Sequence, residues 1–238
     1  MKSSDNTFFG QANERFDPVD LELSPPERGF WTDEEMLKAT GQNSMLLVKT
    51  LQRNGLLTAS KYKLSAKWHR AWTIDDLLTI SLASDTAAHA GLSIVHAVQA
   101  LSLIPSDMLD GALSISPIID QVVDFYVQHV DPYGAVSDEA ELKRFRVTRP
   151  DDFELIVINR QRLFARRKNK ETELREVGSF DADAWVSKGA SSSISSTDWK
   201  EISATAGSLL VIHLSRLGLE PLRKEFGLEL DIEFGGVK

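Results

Sequence analysis

A chain of 238 residues, 42% hydrophobic and 26% charged, allows one large domain or two small ones and holds enough apolar material for a core. It contains no cysteine, which excludes disulfides, thiolate metal sites and cysteine nucleophiles together. No run of about 18 apolar residues marks a membrane span, and the start lacks the apolar centre of a secretory signal, so a cytoplasmic protein is expected. The net charge of −8 argues against a nucleic-acid binder, but its distribution argues for one. The 32 residues from Gln42 to Thr73 hold no Asp or Glu and carry +6, leaving −14 on the rest of the chain. Phosphate binding depends on local cation density, not on the charge of the whole chain.

Residues 1–29 read as a flexible tail, with few repeating apolar positions and a Pro25-Pro26 pair. Thr32-Asp33-Glu34-Glu35 is a capping box that opens a helix, and Gly41 stops it. Ser44 is the cap expected for a second helix running to about Asn54. Leu47, Val48 and Leu51 form its buried side, and Lys49, Thr50 and Arg53 its outer side. Two short helices joined by a tight turn form a helix-turn-helix unit. Thr58 to Trp72 alternates like a β-ribbon around Tyr62, Leu64, Trp68 and Trp72. Thr73 caps a third helix with Asp75 and Asp76 in its first turn. Gly91-Leu92-Ser93 leads into a fourth helix, which Pro105 ends.

Residues 105–150 read as a helical connector. Ser116-Pro117 starts a helix with an apolar stripe through Ile118, Val122 and Tyr126, and Asp131-Pro132-Tyr133-Gly134 is a turn. From Phe153 the chain becomes β-rich. Phe153 to Ile158, Leu163 to Arg166 and Thr172 to Phe180 predict a small antiparallel meander. Residues 187–197 read as a Ser-rich loop. Asp198 with Glu201 forms a further capping box, and the helix it opens is predicted to run to Leu217 through Ile202, Leu209 and Leu210, with Gly218 and Pro221 ending it.

The histidines show no close metal-ligand spacing. Neither a Gly-x-Ser-x-Gly elbow nor a phosphate-binding glycine loop occurs. No catalytic residue, metal or cofactor is therefore expected. A second basic segment, Arg160 to Lys170, carries Arg160, Arg162, Arg166, Arg167, Lys168 and Lys170. It is read as a charged hairpin that discourages edge pairing, with Glu171, Glu173 and Glu176 close enough to neutralise it; contact with DNA or an acidic partner is the alternative.

Four features stand in register across residues 31–104. They are Gly55-Leu56-Leu57 after the helix-turn-helix, Arg70-Ala71-Trp72 in the ribbon, Thr73 with Asp76-Leu77 at the next helix, and Gly91-Leu92-Ser93-Ile94 at the one after. In these features the region, under a third of the chain, resembles the MerR family of winged helix-turn-helix DNA-binding domains. The chain departs from the family at Trp68-His69, where the family commonly has Gly-Tyr, and at Lys49-Thr50-Leu51, where it has an Arg followed by two aromatics. It also lacks the family's long C-terminal dimerising helix. Phage excisionases and small terminase subunits share related winged helices, so the resemblance supports DNA binding more than it supports transcription control.

The expected architecture is mainly α with a small β component. It comprises a tail (1–29), a winged helix (30–104), a helical connector (105–150) and a C-terminal α+β part (151–238) for dimerisation, partner contact or ligand sensing. The expected function is sequence-specific binding of double-stranded DNA, as in a bacterial MerR-like transcription regulator. A mobile-element or phage architectural factor and a protein-interaction adaptor are the alternatives. Ser44, Lys49, Thr50 and Arg53 would meet base edges in the major groove, and Lys61, Lys63, Lys67, His69 and Arg70 would lie against phosphates. The resemblance makes Arg70 the foremost backbone contact and places Trp72 beneath the wing. The apolar helix at 198–217 is the expected element of a homodimer.

Overall fold

The computed structural model describes residues 15–16, 21–64, 66–105, 144–149, 152–167, 173–187, 193–226 and 229–234. The helix expected from Ser116 and the turn at 131–134 lie outside the described residues. The protein is a mixed α+β structure, with more strand than the mainly α reading allowed. No helix among the described residues is long and apolar enough to cross a membrane.

Part of the expected tail is built into the fold. Strand β1 (Arg15–Phe16) pairs in parallel with β2 (Ser60–Leu64), and Pro25–Arg28 forms a one-turn helix, α1. Helix α2 (Asp33–Ala39) starts at Thr32, whose hydroxyl accepts from the Glu35 amide while the Glu35 carboxylate accepts from the Thr32 amide. Gly41 ends that segment at φ +67, a left-handed conformation that costs glycine little. Helix α3 (Leu46–Arg53) begins one residue later than Ser44 predicts. Met45 occupies the cap position without a side-chain bond, and the Ser44 hydroxyl only accepts from the Leu46 amide at 3.4 Å.

An antiparallel hairpin follows, β2 with β3 (Lys67–Ala71). A short bridge between Trp31 and Trp72, both fully buried, ties its end to the start of α2. Helices α4 (Ile74–Ala90), boxed by Thr73 and Asp76, and α5 (Ile94–Ser102), capped by Ser93, complete this half as predicted.

The C-terminal half is a five-stranded antiparallel sheet in the order β8-β7-β6-β5-β9. Its strands are β5 (Phe153–Ile158), β6 (Arg162–Arg167), β7 (Arg175–Asp181), β8 (Ala184–Ser187) and β9 (Leu209–His213). Two of its turns hold pairs of residues at positive φ, Asn159-Arg160 and Ala182-Asp183, the tight-hairpin geometry that matches strand twist. The helix expected at 198–217 forms only in its first part, and its cap is Ser195 in place of Asp198. Helix α6 (Ser196–Ala204) is capped by Ser195, whose hydroxyl accepts from the Asp198 amide. The Leu209-Leu210-Val211-Ile212 run then pairs as a strand with β5. A short apolar run suits either element, and the β-branched pair with Gly207 before it favours the strand. The expected dimer helix is thereby replaced by the edge strand β9. A separate parallel pair joins β4 (Arg144–Arg149), the only described stretch of the expected helical connector, to β10 (Glu229–Phe234).

The two halves share one core. Phe153, Leu155 and Val157 on one face of β5 join Val98, Leu101 and Ile104 of the helical half in a single buried cluster. Ile156 and Ile158 face the other way, under Trp199 and Ile202 of α6. Polar contacts reinforce the junction. The Trp31 indole donates to Glu225 at 2.7 Å, in helix α7 (Glu220–Phe226), and the Gly218 amide donates to Asp85 at 2.9 Å. Gly218 has φ +74, and a Cβ there would lie 2.8 Å from the Leu78 carbonyl oxygen, so the chain passes α4 at a distance only glycine permits.

Candidate nucleic-acid interface

The outer surface of α3 follows from its apolar spacing. Leu47, Thr50 and Leu51 stand at helical i, i+3, i+4 positions, and all three are buried with Val48. This leaves Lys49 and Arg53, four residues apart, on one exposed stripe with Leu46. The Thr50 hydroxyl donates to the Leu46 carbonyl at 2.8 Å, so Thr50 belongs to the core and not to the expected base-reading set. Ser44 is exposed in the turn before the helix.

Register divides the hairpin's polar residues between its two faces. Lys61 stands opposite Arg70 and Lys63 opposite Trp68, and directly opposed residues share a face. Lys61, Lys63 and Arg70 therefore form one cationic face with Trp68 among them. Lys67 and His69 lie on the other face, where Tyr62 is stacked between Phe30 and His69 with centroids 4.9 and 5.3 Å apart. The five hairpin residues expected on phosphates thus do not form one surface. Lys49, Arg53, Lys61 and Lys67 are exposed and make no ion pair among the described residues.

Arg70 has different surroundings. Its Nη2 is ion-paired with Oδ2 of Asp33, and its guanidinium lies 5.9 Å from the Trp72 ring. Asp33 is the first residue of α2, and its other oxygen accepts from the Trp72 indole at 2.7 Å. An open groove of about 570 Å³ between α2 and the hairpin is lined by Asp33, Glu34, Tyr62, Trp68, His69 and Arg70. Acidic residues flank the cationic face at this end, which the search for an acid-free stretch missed because it stopped at Gln42. The Arg70-x-Trp72 pattern resembled a phosphate contact, but nothing local to it could reveal a carboxylate 37 residues earlier.

A second cluster lies in the C-terminal sheet. His213 Nδ1 is 3.0 Å from Asp152 Oδ2 and 3.5 Å from Glu154 Oε1, and the three residues' ligand atoms lie within 4.8 Å of one another. These residue types can hold a divalent cation. Glu154 Oε2, however, accepts from Arg166 Nε at 2.8 Å and from its Nη2, so a guanidinium from β6 already holds this carboxylate. The cluster was invisible to a search for close histidine spacing, because pairing of β9 with β5 brings His213 opposite Glu154.

The chain matches no protein-family model, no curated protein and no solved structure.

Proposed function

We propose that residues 31–104 bind double-stranded DNA as a winged helix, with α3 in the major groove and the β2–β3 hairpin, as the wing, against the backbone. The observation that carries this reading is the cation set on α3 and the hairpin, of which Lys49, Arg53 and Lys61 are exposed. Lys49 and Arg53 share one stripe of an exposed helix surface, and Lys61 and Lys63 share one face of the adjoining hairpin. A helix fits the major groove, where side chains from one stripe meet base edges, and cations on a neighbouring ribbon neutralise phosphates. The base-reading set is reduced to Ser44, Lys49 and Arg53. The backbone set is centred on Lys61 and Lys63. In this reading the protein is a DNA-binding regulator of the MerR-like kind, and the C-terminal sheet carries dimerisation, partner or ligand functions. Strand β9 takes the place of the lost helix as the candidate dimer element.

The test is selection of duplexes from a random-sequence pool at two salt concentrations. An enriched motif that disappears when Lys49 and Arg53 are both replaced by Ala supports a sequence-reading helix. Salt-sensitive binding without a motif points to an architectural role. A specific observation favours a second reading, a protein-binding adaptor. Leu46, Leu64 and Trp68 are exposed at 59%, 40% and 45% beside the same cations, and apolar exposure of this kind marks protein interfaces. No DNA binding at either salt concentration would move that reading to first place.

A further inference from the structure

We propose that Asp33 belongs to the DNA interface as a competitor for Arg70, so that a DNA phosphate gains this arginine only by displacing the protein's own carboxylate. The inference rests on the DNA-binding reading above and adds to it a built-in restraint on backbone affinity. Asp33 is held from two sides. It occupies the first turn of α2, where the helix dipole favours a negative charge. Its Oδ1 also accepts from the indole of Trp72, a side chain with no exposed surface. The second oxygen is thereby aimed at the hairpin, where Arg70 meets it.

Arg70 is the partner open to exchange. Its side chain and that of Asp33 are 42% and 40% exposed, so solvent reaches the pair and a phosphate has access to it. An exposed ion pair of this kind is weak and exchanges partners readily. A phosphodiester carries the same single negative charge as the carboxylate and offers the same guanidinium-accepting oxygens. When it replaces Asp33, the anchored carboxylate stays behind in the groove with Glu34, and both repel the incoming backbone. While the pair is closed, the cationic face of the hairpin presents the exposed Lys61 but no net charge from Arg70. The carboxylate therefore lowers affinity for any duplex, whatever its sequence, and lowers the number of counterions released on binding.

The experiment uses the full chain and a fluorescein-labelled duplex of unselected sequence, titrated over a range of salt concentrations. Asp33→Asn keeps an acceptor for the Trp72 indole and removes the charge. We expect it to bind the duplex about threefold to tenfold more tightly at low salt, with the slope of log K against log salt steeper by about 0.9. Arg70→Ala in the wild-type background leaves the Asp33 carboxylate bare and should weaken binding about threefold to tenfold. In the Asp33→Asn background it should abolish the whole gain. Circular dichroism melting verifies the fold, and Asp33→Ser repeats the measurement if the Asn variant is poorly folded. Unchanged or weaker binding by the Asp33 variants overturns the inference while leaving the DNA-binding reading intact, provided that Lys49→Ala/Arg53→Ala still loses affinity. Such a result would make Asp33 a group that positions Arg70. If no variant and not the wild type binds the duplex at the lowest salt, the DNA-binding reading itself falls, and this inference falls with it.

Discussion

The chain has two stretches rich in Lys and Arg, Gln42–Thr73 and Arg160–Lys170, and they meet opposite surroundings. In the second, the described arginines of β6 are spent on the sheet. Arg162 holds Glu176 at 2.8 and 3.0 Å, Arg166 holds Glu154, and Arg167 lies 3.4 Å from Glu173. In the first, Lys49, Arg53, Lys61 and Lys67 face solvent without a carboxylate partner among the described residues, while Arg70 has been captured by Asp33. Local charge density is the same kind of signal in both stretches. What separates them is whether the fold delivers acids across strands. A cation run becomes a candidate ligand surface only after that pairing has been counted.

The largest test of this contrast is Arg166→Ala. It would leave the Glu154 carboxylate, 2% exposed, without its main partner. Breaking a fully buried pair costs about 3–5 kcal/mol. Arg166 is 28% exposed and His213 remains 3.5 Å from the same carboxylate, so a loss of about 2–3 kcal/mol is expected from that range. Urea unfolding measures it as a lower midpoint at constant m. Lys49→Ala and Arg53→Ala should each stay within about 0.5 kcal/mol of wild type, as exposed positions do, while together erasing the selected DNA motif. A stable Arg166→Ala, or a destabilised Lys49→Ala, would break the division between structural and surface cations.

Thr50 sharpens the comparison inside one helix. It lies next to Lys49 in sequence, yet only the lysine reaches solvent. Thr50→Ala should cost about 1 kcal/mol through the lost methyl contacts and the lost hydrogen bond to Leu46, and should leave the selected motif unchanged. An altered base preference with unchanged stability would return Thr50 to the reading surface.

The caps, stops and apolar stripes of residues 31–104 were legible because they are local. Thr32 with Glu35, Thr73 with Asp76, and Ser93 each bond within three residues. Thr50 was misplaced because its polar type outweighed its position three residues after Leu47, the spacing that decided its burial. Leu209 to Ile212 was misassigned because a short apolar run has no period of its own, and strand β5, which claims it, lies more than 50 residues earlier. Long sequence separation also hid the approach of His213 to Asp152 and Glu154, and the capture of Arg70 by Asp33. At the candidate interface, the one error that local spacing could not have corrected is the pairing of Arg70 with Asp33.

Arg28 shows that location does not decide the matter. It lies in the N-terminal half, yet its side chain is 5% exposed and fully engaged. It donates to the Phe30 and Leu23 carbonyls, stacks 5.0 Å from the Phe30 ring and pairs with Glu35 Oε2, which also accepts from the Thr32 amide and hydroxyl at 2.8 Å. Burial alone would raise the Glu35 carboxyl, but the Arg28 and Thr32 hydrogen bonds outweigh it and hold the carboxyl below its ordinary value of 4.5. A pKa lowered by folding means that folding is favoured by the charged form. The contribution is complete above the unfolded value and is lost as pH falls through the lower folded one. Glu35→Gln should therefore be less stable than wild type at neutral pH, and the gap should close once the pH is taken below 4.5. The effect is the smallest of the three, because the Glu35 side chain is 33% exposed and water screens part of it. A gap that stayed constant down through acid pH would make the Arg28–Glu35 contact a matter of packing and hydrogen bonding. The buried arginine of the N-terminal half would then no longer be held by charge in the way that Arg166 is.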